Sequence, residues 1–279
     1  MRFGINTFLW TVDFEPQHLE LLPRIKENGF DGIEMFIHEP ARVKSTEIRR
    51  GLEAAAMGCT FCSVLPSGVS MDSEDAGIRK QAKDYMAACM NTVAETGAEV
   101  FGGPFYTPLG EKPGRRRNED EWKRVVECWQ ELAPLAESLK LDIAIEPLNR
   151  FETHFLNTTS DACALVQQIG HPRVGILFDT FHSHIEEKHP NQALRKAMPH
   201  VKHFHASEND RGTPGTGHVN WTGILGTLKQ SKYDRWVTIE SFGSTIKEIA
   251  AAACIWRDLA PSNESIAFEG VAFLRQNLT

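Results

Sequence analysis

Long apolar runs are missing from this chain. None of its 279 residues belongs to a stretch near the ~18 apolar side chains that a membrane-spanning helix requires, so no membrane partner is expected. The opening segment, MRFGINTFLWTVDFEPQ, lacks an apolar export core and a small-residue cleavage site, and a cytoplasmic protein is expected on that ground. An excess of basic charge is missing too: 30 Lys and Arg face 37 Asp and Glu, a formal net charge of -7. Holding a phosphate backbone needs a concentrated cationic face, which argues against nucleic acid as a partner. The one basic cluster, GRRRNED at 114–120, runs straight into acids and reads as a solvated loop or a helix start.

Cysteine is sparse and unpatterned. The six cysteines, at 59, 62, 89, 128, 163 and 254, fall mostly in apolar segments, where a free thiol behaves as a small buried hydrophobe, and no disulfide framework is expected. Cys59 and Cys62 form CTFC, the spacing of a redox or zinc pair, but the motif overlaps the strand-like run TFCSVL and has no second CxxC, so it reads as structural. Nucleotide-binding glycine motifs are absent as well: no GxGxxG follows the first strand pattern, and GxxxxGK[ST] occurs nowhere.

What is present is an alternation. Short β-type runs at 3–6, 32–36, 60–65, 99–103, 141–146, 174–179, 201–205 and 236–240 are separated by amphipathic helical patterns such as EPQHLELLPRIKEN and EDEWKRVVECWQELAPLAESLK. Gly29, Gly58, Gly97 and Gly170 each follow a helical pattern and read as helix stops, because glycine enters the left-handed cap conformation without steric cost. Eight strand–helix units in a chain of this length predict a (β/α)8 TIM barrel, one domain over 1–279. The segment from IKEIAAAACIWRDLA onward is expected to add the last helix and one more that covers an end of the barrel.

In such barrels the chemistry gathers where the strands end, because all eight C-terminal ends face one mouth. Four neighbouring strand patterns end in Glu146, Asp179, His205 and Glu240. An acid after one apolar run is usually a cap or a solvated residue; four ionisable residues in succession point to a site. Three carboxylates and one imidazole suit a divalent cation, Mn²⁺ first and Mg²⁺ or Co²⁺ next, whereas a structural zinc site favours thiolates.

The segments IEPLNRFETH, LFDTFHSHIEE, HFHASENDRGTPGTGHVNW and TIESF, in this order, resemble the ketose 3-epimerases of the xylose-isomerase-like barrels, the D-tagatose, D-psicose (allulose) and L-ribulose 3-epimerase family. The resemblance covers most of the chain, including FLW near the first strand and IWRDL near the end. It implies that Glu146, Asp179, His205 and Glu240 are metal ligands, that Glu146 and Glu240 are also the two catalytic acids, and that Glu152, His182 and Arg211 hold the sugar oxygens near C1 to C3. It implies further a Mn²⁺-type cofactor and C3 epimerisation of a free ketose through a cis-enediolate. VLPSG at 64–68 and GGPFYTPLG at 102–110 depart from the family pattern at the far end of the sugar pocket.

Three alternatives stay open at this point: an aldose–ketose or hydroxypyruvate-type isomerase, an epimerase or eliminase of 3-keto glycosides, and a catalytically dead sugar-binding barrel. His203, two residues before His205 and on the same side of its strand, is the reserve ligand; His184, His189, His200 and His218 are not expected to ligate. The glycine-rich SENDRGTPGTG could fold over the mouth and bring Arg211 inward, or its N–H groups could cradle a phosphate. A homo-oligomer, dimer or tetramer, is expected.

Overall fold

The computed structural model describes residues 1–278. Eight parallel strands close on themselves in sequence order: β1 Arg2–Asn6, β2 Gly32–Phe36, β3 Gly58–Cys62, β4 Val100–Gly103, β5 Asp142–Ile145, β6 Val174–Asp179, β7 Val201–His205 and β8 Trp236–Ile239, with β8 pairing back onto β1. Helices fill the connections and cover the outside, so the principal core lies between sheet and helices. This is the (β/α)8 barrel read from the alternation. Among the described residues no helix is long and apolar enough to cross a membrane.

Side chains alternate along each strand, so every second residue points into the barrel. The lowest inward layers are apolar and close-packed: Val100, Ala144, Leu177 and Trp236 form a buried cluster of their own. Glycines on β2 and β3 make room for the indole. A Cβ on Gly32 would clash with both Gly58 O and Trp236 Cη2, and one on Gly58 would come within 2.9 Å of Cζ2.

That corrects the reading of Gly58. It is the first residue of β3 rather than a helix stop, and the helix Ser45–Ala55 instead ends on Ala56 in the left-handed region, φ 48°. The third strand accordingly begins two residues earlier than the apolar run suggested. Gly29, Gly97 and Gly170, at φ 97°, 85° and 70°, do occupy the conformation expected of helix stops.

Other local signals hold. GRRRNED leads into the helix Glu119–Ser138: Asn118 Oδ1 accepts from Glu121 N at 2.8 Å, and the Glu121 carboxylate accepts from Asn118 N at 2.7 Å. Cys59 and Cys62, three apart on β3, face opposite sides of the sheet, Cys59 towards Thr96 and Cys62 into the barrel mouth, so they do not act as a pair. At the chain's end, the helix Asn263–Leu278 packs on β8, and the short helix Lys247–Ala252 stands over the mouth.

Candidate active site

The inward-facing residue at the C-terminal end of each strand sets the chemistry of the mouth. β6 and β7 end on Asp179 and His205, paired across the ladder, and Glu146 and Glu240 directly follow β5 and β8. A register shift between Ile176 and Leu177 aligns the inward residues of β6 with those of β7. All four side chains are buried, and a ligand atom from each lies within 4.8 Å of the others.

Three atoms of these side chains have no hydrogen-bond partner, Glu146 Oε1 and both ring nitrogens of His205. An orphaned buried oxygen and an orphaned imidazole nitrogen, each facing the same small space as two further carboxylates, form a donor set that fits a divalent cation. His205 Nδ1 is 3.5 Å from Glu240 Oε2 and 3.9 Å from Asp179 Oδ2. Asp179 is further fixed by the helix it caps: its Oδ1 accepts from Phe181 N at 2.6 Å.

Arg211 arrives from the loop after β7. Its Nη1 donates to Asp179 Oδ2 at 2.8 Å, Glu240 Oε2 at 2.6 Å and Ser207 Oγ at 2.8 Å. The loop that delivers it is stapled by Glu208, whose carboxylate accepts from the backbone N of Asn209, Gly215 and Val219 and from Trp221 Nε1, all within 3.1 Å. A carboxylate therefore fills the loop's own anion nest, and these N–H groups do not turn to the mouth, which speaks against the phosphate cradle.

His182 and Glu152 complete the polar wall. Asn149 donates to His182 Nδ1 from its backbone N at 3.1 Å and lies within 3.0 Å of it through Nδ2, which also donates to Glu152 Oε1 at 2.6 Å. Burial pushes the His182 imidazole down to about 3, so the ring is neutral. Its other nitrogen, Nε2, lies 3.2 Å from Arg211 Nη2 and 3.7 Å from Glu146 Oε1.

The glutamates are held in opposite states by their surroundings. Burial, with Glu240 nearby, raises the Glu146 carboxyl well above the usual range. Burial acts on Glu240 too, but Arg211 and His205 outweigh it and hold this carboxyl at about 2. With protein groups alone around them, Glu146 holds its proton and Glu240 is ionised.

The cavity in front of these groups has a volume of about 310 Å³, at the lower end of small-molecule pockets. Glu146, Glu152, His182, Arg211 and Glu240 form its polar end. Phe8, Phe36, Val64, Leu109, Phe181 and Phe242 supply the apolar walls, and Glu248, Ile249 and Ala252 of the short helix, with Ala253 just beyond it, close it. Both divergent loop segments, through Val64 and through Gly103, Pro104 and Leu109, reach this cavity.

Comparison with known proteins agrees with this geometry. Residues 22–277 match the family model described as "Xylose isomerase-like TIM barrel". The chain is 36% identical to a probable ketose 3-epimerase of Synechocystis sp., over 99% of this chain and 96% of that one. The chain belongs to the ketose 3-epimerase family of the xylose isomerase-like barrels. As a member it is an isomerase-class enzyme, an epimerase. It is also 31% identical to a D-psicose 3-epimerase of Agrobacterium fabrum, over 93% of this chain and 91% of that one. A crystal structure of the Clostridium cellulolyticum H10 D-psicose 3-epimerase with D-tagatose superposes at a TM-score of 0.92, with 25% identity, covering 100% of this chain and 99% of that one.

In this epimerase the seven residues singled out from sequence, Glu146, Glu152, Asp179, His182, His205, Arg211 and Glu240, converge on one site. The reserve histidine does not join the four: His203 Nε2 lies 2.6 Å from Glu34 Oε2, one layer deeper in the barrel. His184, His189, His200 and His218 do not line the cavity. Sequence reasoning missed Glu34 and Asn149. An acid in the middle of the apolar strand GIEMF was the available signal for the first; the second sits inside the IEPLNRFE motif with nothing in the spacing to say that it reaches His182.

Proposed function

We propose that this protein catalyses metal-dependent C3 epimerisation of a free ketose of the D-psicose/D-fructose, D-tagatose or L-ribulose type. Glu146, Asp179, His205 and Glu240 would hold the cation, Mn²⁺ in this reading with Mg²⁺ or Co²⁺ as substitutes. When bound, the ion supplies Lewis-acid stabilisation of the negative charge that develops on the sugar oxygens.

The observation that carries the reading is the placement of the two glutamates. Glu146 follows β5 and Glu240 follows β8, three strands apart around an eight-strand ring, and both line one cavity. A ketose C3–H is acidic because the adjacent C2 carbonyl takes up the charge as a cis-enediolate. Inversion at C3 then needs one proton-transfer group on each face of that planar species, and carboxyls from nearly opposite walls supply the two faces. One removes the C3 proton while the other delivers its own, with the roles exchanged in the reverse direction.

The neighbours orient the sugar. His182 Nε2 and the Arg211 fork face the oxygens at C1 to C3, and Glu152 accepts from a hydroxyl. Asn149 locks both His182 and Glu152 through one side chain. Two observations support a free rather than a phosphorylated sugar: the loop N–H groups are spent on Glu208, and Glu152 and Glu248 line the cavity as acids.

The test is conversion of free ketoses. D-fructose, D-psicose, D-tagatose and L-ribulose incubated with Mn²⁺-loaded enzyme are expected to give the C3 epimer at equilibrium; aldose products alone would favour a C1–C2 isomerase.

A further inference from the structure

Just below the strand ends, a single carboxylate stands inside the barrel. Glu34 on β2 is fully buried, with four polar side chains around its carboxylate. Asn6 Nδ2 reaches Oε1 at 3.1 Å and Thr60 Oγ1 reaches Oε2 at 2.9 Å. His203 Nε2 is 2.6 Å from Oε2, and His205 Nε2 is 2.8 Å from Oε1. A carboxylate in a dry interior is costly, and an apolar side chain of similar size would pack there at less cost, so its retention asks for a role.

The role follows from the other nitrogen of His205. Neither ring nitrogen makes a hydrogen bond of good geometry: Nδ1 stands among Glu240 and Asp179, and Nε2 faces Glu34 Oε1 at 2.8 Å. An imidazole that ligates a cation carries one proton, and which nitrogen bears it is set by the partner of the remote one. A carboxylate 2.8 Å from Nε2 draws the proton there and leaves the Nδ1 lone pair to the cluster.

We propose that Glu34 is a positioning residue: it selects the Nε2–H tautomer of His205 and so makes Nδ1 a cation ligand, while Asn6, Thr60 and His203 hold the carboxylate in place. The proposal rests on reading Glu146, Asp179, His205 and Glu240 as a divalent-cation site. It assigns a function to an acid that touches neither the cavity nor the other three ligands. Loss of such a carboxylate partner typically weakens metal binding by roughly 10–100-fold.

The experiment measures Mn²⁺ dissociation constants of wild type and Glu34→Gln by competition with a chelator, with thermal unfolding of each protein recorded alongside. The expected result is a folded variant whose constant is raised by roughly 10–100-fold. A merely structural Glu34 would lower the melting temperature and leave the constant where it was, and that overturns the proposal. Should Glu34→Gln fail to fold, wild type answers instead. In ¹⁵N-histidine-labelled, Mg²⁺-loaded protein, with His205 assigned as the ring lost in His205→Asn, Nε2 is expected to carry the proton, and a protonated Nδ1 overturns the proposal. A wild type that takes up no Mn²⁺ overturns the cation-site reading itself, whereas wild-type uptake with an unchanged variant overturns only the tautomer role.

Discussion

Arg211 and Glu240 are joined by a charge-assisted hydrogen bond of 2.6 Å, Nη1 to Oε2, and the same nitrogen reaches Asp179 Oδ2 at 2.8 Å. Arg211 holds this position from a left-handed backbone, φ 65°, which side chains other than glycine adopt at a cost. Its guanidinium carbon lies 4.0 Å from the Phe181 ring centroid and 5.0 Å from that of Phe242. Stacking and the planar fork together define a geometry that an ammonium does not reproduce.

Arg211→Lys is therefore expected to behave as a loss rather than a conservative change. Removing one partner of a buried, hydrogen-bonded charge pair costs on the order of 2–5 kcal/mol, so kcat/KM should fall by roughly 10²-fold or more in steady-state assays. Because Arg211 competes for oxygens of two of the four proposed ligands, Mn²⁺ affinity in Arg211→Ala is expected to rise. A fall in both quantities would mean that Arg211 builds the cation site instead of sharing it.

Cation binding should register as stability. An ion bound only by the folded chain stabilises it by about 2.7 kcal/mol at a hundred times its dissociation constant. For a protein of this size that corresponds to a rise in Tm of several degrees, at roughly 2–4 °C per kcal/mol. Thermal melts with Mn²⁺ and after exhaustive chelation are expected to differ by this amount, and Asp179→Asn should show a much smaller difference.

His182 gives a pH dependence with a definite sign. Its imidazole is pushed by burial from the ordinary 6.5 down to about 3. Below the unfolded value the unfolded chain takes up a proton that the folded chain refuses, so this contribution to stability is complete above that value. It is lost as the pH falls through the window towards the folded value, with a slope of at most about 1.4 kcal/mol per pH unit. Chelated wild type and His182→Gln, melted between about pH 7 and pH 4, should show the steeper acid loss in wild type. Parallel curves would mean that the buried ring takes up its proton in the folded protein.

Glu240→Gln separates the two faces of the sugar. Net epimerisation is expected to stop, while exchange of the C3 hydrogen with solvent persists for the epimer whose proton faces Glu146. Glutamine keeps one oxygen and the size of the side chain, so metal content is measured first to ensure that the cation remains. Loss of all exchange with the cation still bound would place both proton transfers on Glu240.

The strands were legible because each alternates between a buried face and a second buried face, and because the polar residue that ends the apolar run is the one that turns into the mouth. Asp179 and His205 are the last residues of β6 and β7, and Glu146 and Glu240 the first beyond β5 and β8, within a residue of where the apolar runs stop. Gly58 misled because its need for space comes from Trp236, 178 positions later in the chain, and no local pattern carries that. Glu34 was hidden for the same reason: its partners Asn6, Thr60 and His203 come from three other strands, joined only once the barrel closes. Glu208 looked like one more acid of a polar loop, and only the folded backbone shows three N–H groups turned onto it.

Proposed exchange of the C3 proton between two carboxyls on opposite faces leaves an isotopic mark. Wild-type, Mn²⁺-loaded enzyme is run on D-fructose in D₂O, and deuterium in the product is located by NMR. A proton removed by one glutamate and replaced from the other comes from solvent-exchangeable groups, so the account predicts one deuterium at C3 of the epimerised ketose. Product that carries deuterium at C1 and none at C3 would contradict it and point to hydrogen transfer between C1 and C2 on the same site.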